Sequence, residues 1–323
     1  MVFNSTTTVF TTKFSLIYKL LFFMMIVFLV LFAIGMVTIY PTLSDMIKEI
    51  NDMHLIKSTI NYVQGLLKGF DTDIEGESAP GYLTFEELVA KFTVLKDTIV
   101  EYSTRVAVSF VLLGVLIYLF CVVVSVMRYT TASILNTFMS CNGKDGFMSN
   151  MLRNLKRALA FGFSCVSLSI LYYATTIGVS VGLALLVAKA NKLFGAMVGY
   201  LAIMISVSSK RALFATWLPN MVAKEVSVGV ALKNSTKDLP KTFAEVFGGE
   251  FIMYMIFNIL LASSVVVTIG ISIPILFVVG LLFIQTYELV YFYHHNALRY
   301  YIDHQRVIDP TKEYKDAVLE NIE

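Results

Sequence analysis

Five polar residues fall on one side of a long apolar run late in the chain: Gln285, Glu288, Tyr291, His295 and Arg299. At about 100° per residue on a helix, they lie within roughly 120° of one another. Such a stripe would lead from inside a bilayer leaflet out to water. Glu288 is the member that asks for chemistry. An ionisable side chain in hydrocarbon is costly, so it is either matched by a partner or belongs to an ion or substrate pathway. Counted from Pro274, Glu288 lies ~21 Å along the helix, some 8 Å short of the far boundary of a ~30 Å core. Its side chain is too short to snorkel as a lysine does. It must face the helical bundle, a water-filled vestibule, or a partner such as Lys210, Arg211 or His295. Two readings follow. In one, a structural ion pair or tyrosine hydrogen bond accommodates Glu288 near the interface. In the other, it serves proton- or cation-coupled transport. A metal pair at His294 and His295 is poorly placed, because adjacent residues diverge by about 100° on a helix.

Other polar residues carry weaker signals. Asn258 lies in an apolar run with Tyr254 one turn before it, the pattern of an inter-helix bridge or a substrate contact. "GVSVG" (178–182) and "GAMVG" (195–199) have the small-xxx-small spacing that lets helices approach closely, and predict a tight hairpin. "DTDIEG" (71–76) resembles the opening of a calcium loop, but Tyr82 stands where a bidentate glutamate belongs. Only weak calcium binding, or a solvated acidic turn, is expected at 71–77. The three cysteines form no C-x-x-C pair, so neither a disulfide framework nor a zinc site is indicated. No nucleophile–base constellation, phosphate-binding glycine loop or H-E-x-x-H motif occurs. The chain therefore reads as non-enzymatic, without a cofactor or a bound metal. A net charge of +2 gives no basic face for nucleic acid.

These residues must be positioned by membrane helices. The chain is 57% apolar and only 15% charged, against about 45–50% and 25% in soluble domains. The excess falls in six runs, about 16–40, 106–127, 158–187, 193–209, 250–270 and 274–293. Each is of the length that crosses a bilayer. The fold class expected is all-α, a polytopic bundle of about six transmembrane helices. The first run is longer than a signal-peptide core and lacks a small-residue cleavage site, so it reads as an uncleaved anchor. Basic residues set the orientation. Residues 128–157 carry five against one acid, 210–249 six against three, and the tail four. The segment 41–105 carries six against eleven acids. Both termini are thus expected in the cytoplasm of a multi-pass cell-membrane protein. The organisation is a segment 1–40 holding the first span, an extracytoplasmic hairpin at 41–105, a five-span bundle at 106–293, and a tail at 294–323.

Phe85, Leu88, Phe92, Leu95, Ile99, Tyr102 and Val106 keep a strict 3–4 spacing, one stripe of a helix, and Thr84 with Glu87 makes a capping box. A looser stripe, Met46, Ile50, Met53, Ile60 and Leu67, precedes it. Together they predict a coiled-coil hairpin outside the membrane, zipped to itself or binding a protein partner. Inside, connectors 128–157 and 210–249 are expected to lie in the interface, their lysines and arginines on anionic headgroups. "MLRNLKRALAFGF" (151–163) and "ALKNSTKDLPKTF" (231–243) share a leucine–basic–asparagine core at an offset of 80. They suggest a duplicated unit of span, connector and span. Trp217 and Pro219 suggest an interfacial elbow.

The stretch "WLPNMVAKEVSVGVALKNSTKDLPKTF" resembles a connector in a broad group of bacterial multi-span proteins. That group includes the membrane domain fused to some glycerophosphodiester phosphodiesterases. The matching positions are Pro219, Gly229, Ala231, Leu232, Lys233, Ser235 and Phe243, and the likeness covers about 210–297. It implies a six-span helical bundle and not the phosphodiesterase activity, since no segment here could supply the catalytic barrel. Three functions fit these residues. The first is a scaffold or accessory subunit that binds a partner through the hairpin or connectors, alone or in a homo- or hetero-oligomer. The second is a small-solute or lipid transporter using the stripe around Glu288, with Asn258 and Tyr254. The third is a lipid-modifying enzyme.

Overall fold

The computed structural model describes residues 2–41, 89–94, 103–188 and 192–311, with single positions at 44, 48, 86 and 100. Most of the hairpin expected at 41–105, with its acidic turn, and the end of the tail lie outside the described residues. Nine helices are described: α1 (Val2–Thr12), α2 (Ser15–Thr38), α3 (Ser103–Cys141), α4 (Phe147–Arg153), α5 (Leu155–Ala188), α6 (Lys192–Phe214), α7 (Trp217–Ala223), α8 (Val228–Thr268) and α9 (Ile273–His295). A two-residue antiparallel ribbon follows, β1 (Tyr300–Tyr301) with β2 (Val307–Ile308). Six helices are long and apolar enough to cross a membrane, namely α2, α3, α5, α6 with α7, α8 and α9. The chain is an all-α polytopic membrane bundle.

Two boundaries differ from the sequence expectation. The apolar run of α3 ends at Met127, yet the helix continues without a break to Cys141. Ala132, Leu135, Phe138 and Met139 keep the 3–4 spacing beyond that point, and all four are fully buried. Similarly, α8 begins at Val228 and carries Pro240 inside it. Pro240 has no N–H for the carbonyl of Thr236 and is tolerated because the flanking turns hold the helix. Residues 128–141 and 228–249 are therefore extensions of spans rather than separate connectors. Helices of 39 and 41 residues reach about 58 and 62 Å, near twice a ~30 Å core.

The chain divides into two compact units, Met1–Val27 with Cys121–Glu323, and Phe28–Phe120. In the smaller unit α2 and α3 meet where Gly35 leaves room for Leu116, beside an apolar groove of about 480 Å³. In the larger unit α9 is the central strut. From Gln285 to Tyr293 every one of its residues is buried. On one side α1 lies against it, with Phe3 on Tyr287 and Phe10 on Phe283. On another side α8 approaches so closely that a Cβ at Gly249 would lie 2.6 Å from Cζ of Tyr287, and closer still to its hydroxyl oxygen.

Trp217 is 2% exposed, donates from Nε1 to the Val228 carbonyl at 3.0 Å, and packs on Phe161 and Phe214. It therefore stands inside the protein, and the chain bends at Ala215–Thr216 just before it. The small-residue faces are used unevenly. A Cβ at Gly199 would meet Ala184 at 2.9 Å, whereas Gly178 and Gly182 face open space. The order long helix, short helix, long helix occurs twice, as α3–α4–α5 and α6–α7–α8.

After His295 the helix stops. Ala297 takes a left-handed φ of 51° and Leu298 donates to the Tyr293 carbonyl at 2.8 Å. The ribbon turn is tied by Asp303, which accepts from the backbone N–H groups of Gln305 and Arg306 and from the Arg306 side chain. Those bonds, the Gln305 amide foremost, hold its carboxyl down at about 2. The α3–α4 loop is tied in the same way. Asp145 accepts from Arg153 at 2.8 Å, Asn150 at 2.9 Å and Thr137 at 3.3 Å. Partial burial alone would raise its carboxyl. The hydrogen bonds of Asn150, Arg153 and Thr137, with the charge of Arg153, win and hold it low.

Candidate functional site: a buried ionic network

Glu288 is 2% exposed, and both of its oxygens are taken. Arg211, near the end of α6, donates from an η nitrogen to Oε1 at 3.1 Å. Arg128, in the middle of α3, donates to Oε2 at 3.3 Å. Each arginine makes a second bond. Arg128 Nε donates to Gln285 Oε1 at 3.2 Å, and Arg211 Nε donates to the Tyr254 hydroxyl at 3.1 Å. One carboxylate thus joins α3, α6 and α9, and Arg211 carries the link to α8. Planar guanidinium groups can serve two acceptors at once, which a lysine ammonium does with less directional order.

Three sequence candidates, Glu288, Gln285 and Tyr254, meet here, and four do not. Tyr291 donates to Glu245 Oε2 at 2.8 Å and stacks on His295. Asn258 donates to the Tyr254 carbonyl at 2.8 Å and touches Met204 on α6. His295 and Arg299 are exposed, and Arg299 lies beyond the helix, so the stripe ends at His295. The two histidine rings part, His294 toward Tyr300 and His295 onto Tyr291. Among the described residues no cluster of histidine, cysteine and acid could hold a metal.

Of the three partners named for Glu288, Lys210, Arg211 and His295, only Arg211 bonds it. Lys210 turns to α5, its Nζ 4.6 Å above the Tyr173 ring. Arg128, Lys210, Arg211 and Glu288 together line a cavity of about 20 Å³, closed on its apolar side by Phe161 and Trp217. A space of that size holds about one water molecule.

Two members of the network, Arg128 and Glu250, stand outside the candidate residues and partners read from the sequence. Arg128 counts there only toward orientation, because the apolar run stops before it. The continuing 3–4 pattern from Ala132 to Met139 is the signal that it sits inside a longer helix. Glu250 looks like the start of a span. It is fully buried, and neither oxygen has a hydrogen-bond partner. The apolar residues on both sides of it, Val246 and Phe247 before and Phe251 and Met253 after, are the available sign. The amide Nε2 of Gln285 is likewise buried without a partner.

Fold and site together define a polytopic helical membrane protein whose spans share a buried ionic network. A scan of protein-family models matched no family, and neither the curated proteins nor the solved structures gave a match.

Proposed function

We propose that this protein is a non-enzymatic scaffold or accessory subunit of the cell membrane, with both termini cytoplasmic. One observation carries the reading: Glu288, the carboxylate best placed for transport, has both oxygens bound by arginines from two other spans. A carboxylate engaged in this way fastens helices. Breaking such a buried pair from one side costs about 3–5 kcal/mol, so the network gives a rigid frame on which a partner-binding segment can stand. The segment 41–105, with its two apolar stripes, is that binding segment, and membrane lipid surrounds the frame.

The test has two arms. Deleting 42–104 should leave a folded bundle and abolish a cross-linked partner recovered with the full chain from native membranes. Glu288→Gln should lower the melting temperature and leave solute flux in proteoliposomes unchanged. A pH-dependent flux abolished by Glu288→Gln at unchanged melting temperature would overturn the reading.

A second reading, transport, is favoured by one feature. Three cations, Arg128, Lys210 and Arg211, line the cavity with a single carboxylate. That excess suits an anionic solute or lipid headgroup, once the cavity widens well beyond one water.

A further inference from the structure

Glu250 is the unexplained charge of the network. It lies on α8, one turn before Tyr254, and is 0% exposed. Both carboxyl oxygens are sealed from solvent and accept no hydrogen bond. Charged and titratable groups on three other helices act on it electrostatically: Arg211 on α6, Arg128 on α3, and Glu288 and Tyr287 on α9, while Glu245 on α8 itself acts on Tyr287. The two arginines that could neutralise it are committed elsewhere, to Glu288, Gln285 and Tyr254. An ionised carboxylate left buried and unbonded costs several kcal/mol, and such groups take up a proton instead.

We propose that Glu250 is a proton-binding site, the carboxyl of the network that neither arginine bonds. With Glu250 neutral, the two arginines and Glu288 sum to +1 and Arg211 belongs to Glu288 and Tyr254, as observed. On release, the O–H bond of Glu250 breaks, the electron pair stays on the carboxylate, and the proton reaches bulk water through a local opening of the helices packed over it. The four groups then sum to zero, and Arg211 is shared between two carboxylates on different helices. Loss of a proton would therefore pull α6 toward α8 at the expense of its bond to α9. This inference goes beyond partner binding and does not rest on it. Under the transport reading, it would supply the coupling ion.

Infrared difference spectroscopy of the full chain in lipid nanodiscs, titrated with acid and base, tests it. The expected result is a protonated-carboxyl C=O band near neutral pH that shifts in D₂O, disappears in Glu250→Gln and persists in Glu288→Gln. Should Glu250→Gln fail to fold, Glu250→Asp keeps the carboxyl and is expected to move the band. Absence of the band, a band unchanged by either Glu250 substitution, or one lost only in Glu288→Gln would overturn the proposal.

Discussion

Glu288 lies too deep in its span to be a simple helix end, and the structure supplies the reason. It sits where two arginines from distant parts of the chain converge. Glu288→Gln leaves two half-buried guanidinium groups sharing a neutral amide in place of a carboxylate and is expected to cost about 3 kcal/mol, read as a lower melting temperature in nanodiscs. Replacing the triad together by Glu288→Leu, Arg128→Met and Arg211→Met should recover most of that loss, since apolar side chains avoid the desolvation cost. The need for a partner is legible from depth alone. Arg211 and Arg128 each follow an apolar run, but only Arg211 reads as a partner, because the helix beyond Arg128 shows itself only in the interleaved 3–4 pattern from Ala132 to Met139. Glu250 escapes for the opposite reason: its neighbours make it look like the first residue of a span.

At the scale of elements, the six spans are readable because 20-residue apolar runs are rare outside membrane helices. Their continuations are not. Where α3 passes Arg128 and α8 begins at Val228, buried apolar residues are interleaved with polar ones, a pattern that also fits an interfacial helix. The sequence expectation did not include α1 either, although Val2, Thr6 and Val9 keep a 3–4 spacing and the last two are fully buried. The contact between α8 and α9 can be tested at adjacent glycines. Gly249→Ala drives a methyl into Tyr287 and should destabilise by about 1–3 kcal/mol. Gly248→Ala meets no atom within 4 Å and should be neutral or stabilising by up to about 1 kcal/mol, both read by thermal unfolding. The α3–α4 loop makes a pH prediction. The Asp145 carboxyl is held below its ordinary value, so its contribution is present above about pH 3.9 and is lost as pH falls through the lower folded value. Asp145→Asn should therefore be less stable at neutral pH and show a shallower loss of stability under acid, measured by melting temperature against pH.

For the whole molecule, four spans are pinned to one another at a single buried point. Within the larger unit, α9 is sheathed by protein along most of its length. The outward faces of α5, α6 and the second half of α8 remain apolar and open, as lipid-facing helices require. A frame so fastened should tolerate loss of an appended segment. Deletion of 42–104 is expected to leave the melting temperature of the bundle within a few degrees of the full chain, with partner recovery lost. Glu288 and Arg211 act as one fastening, and a double-mutant cycle tests this most directly. Melting of the full chain, Glu288→Gln, Arg211→Met and the double variant should show a coupling of about 1.5 kcal/mol or more, with the double variant scarcely worse than either single one. Strictly additive losses would contradict it.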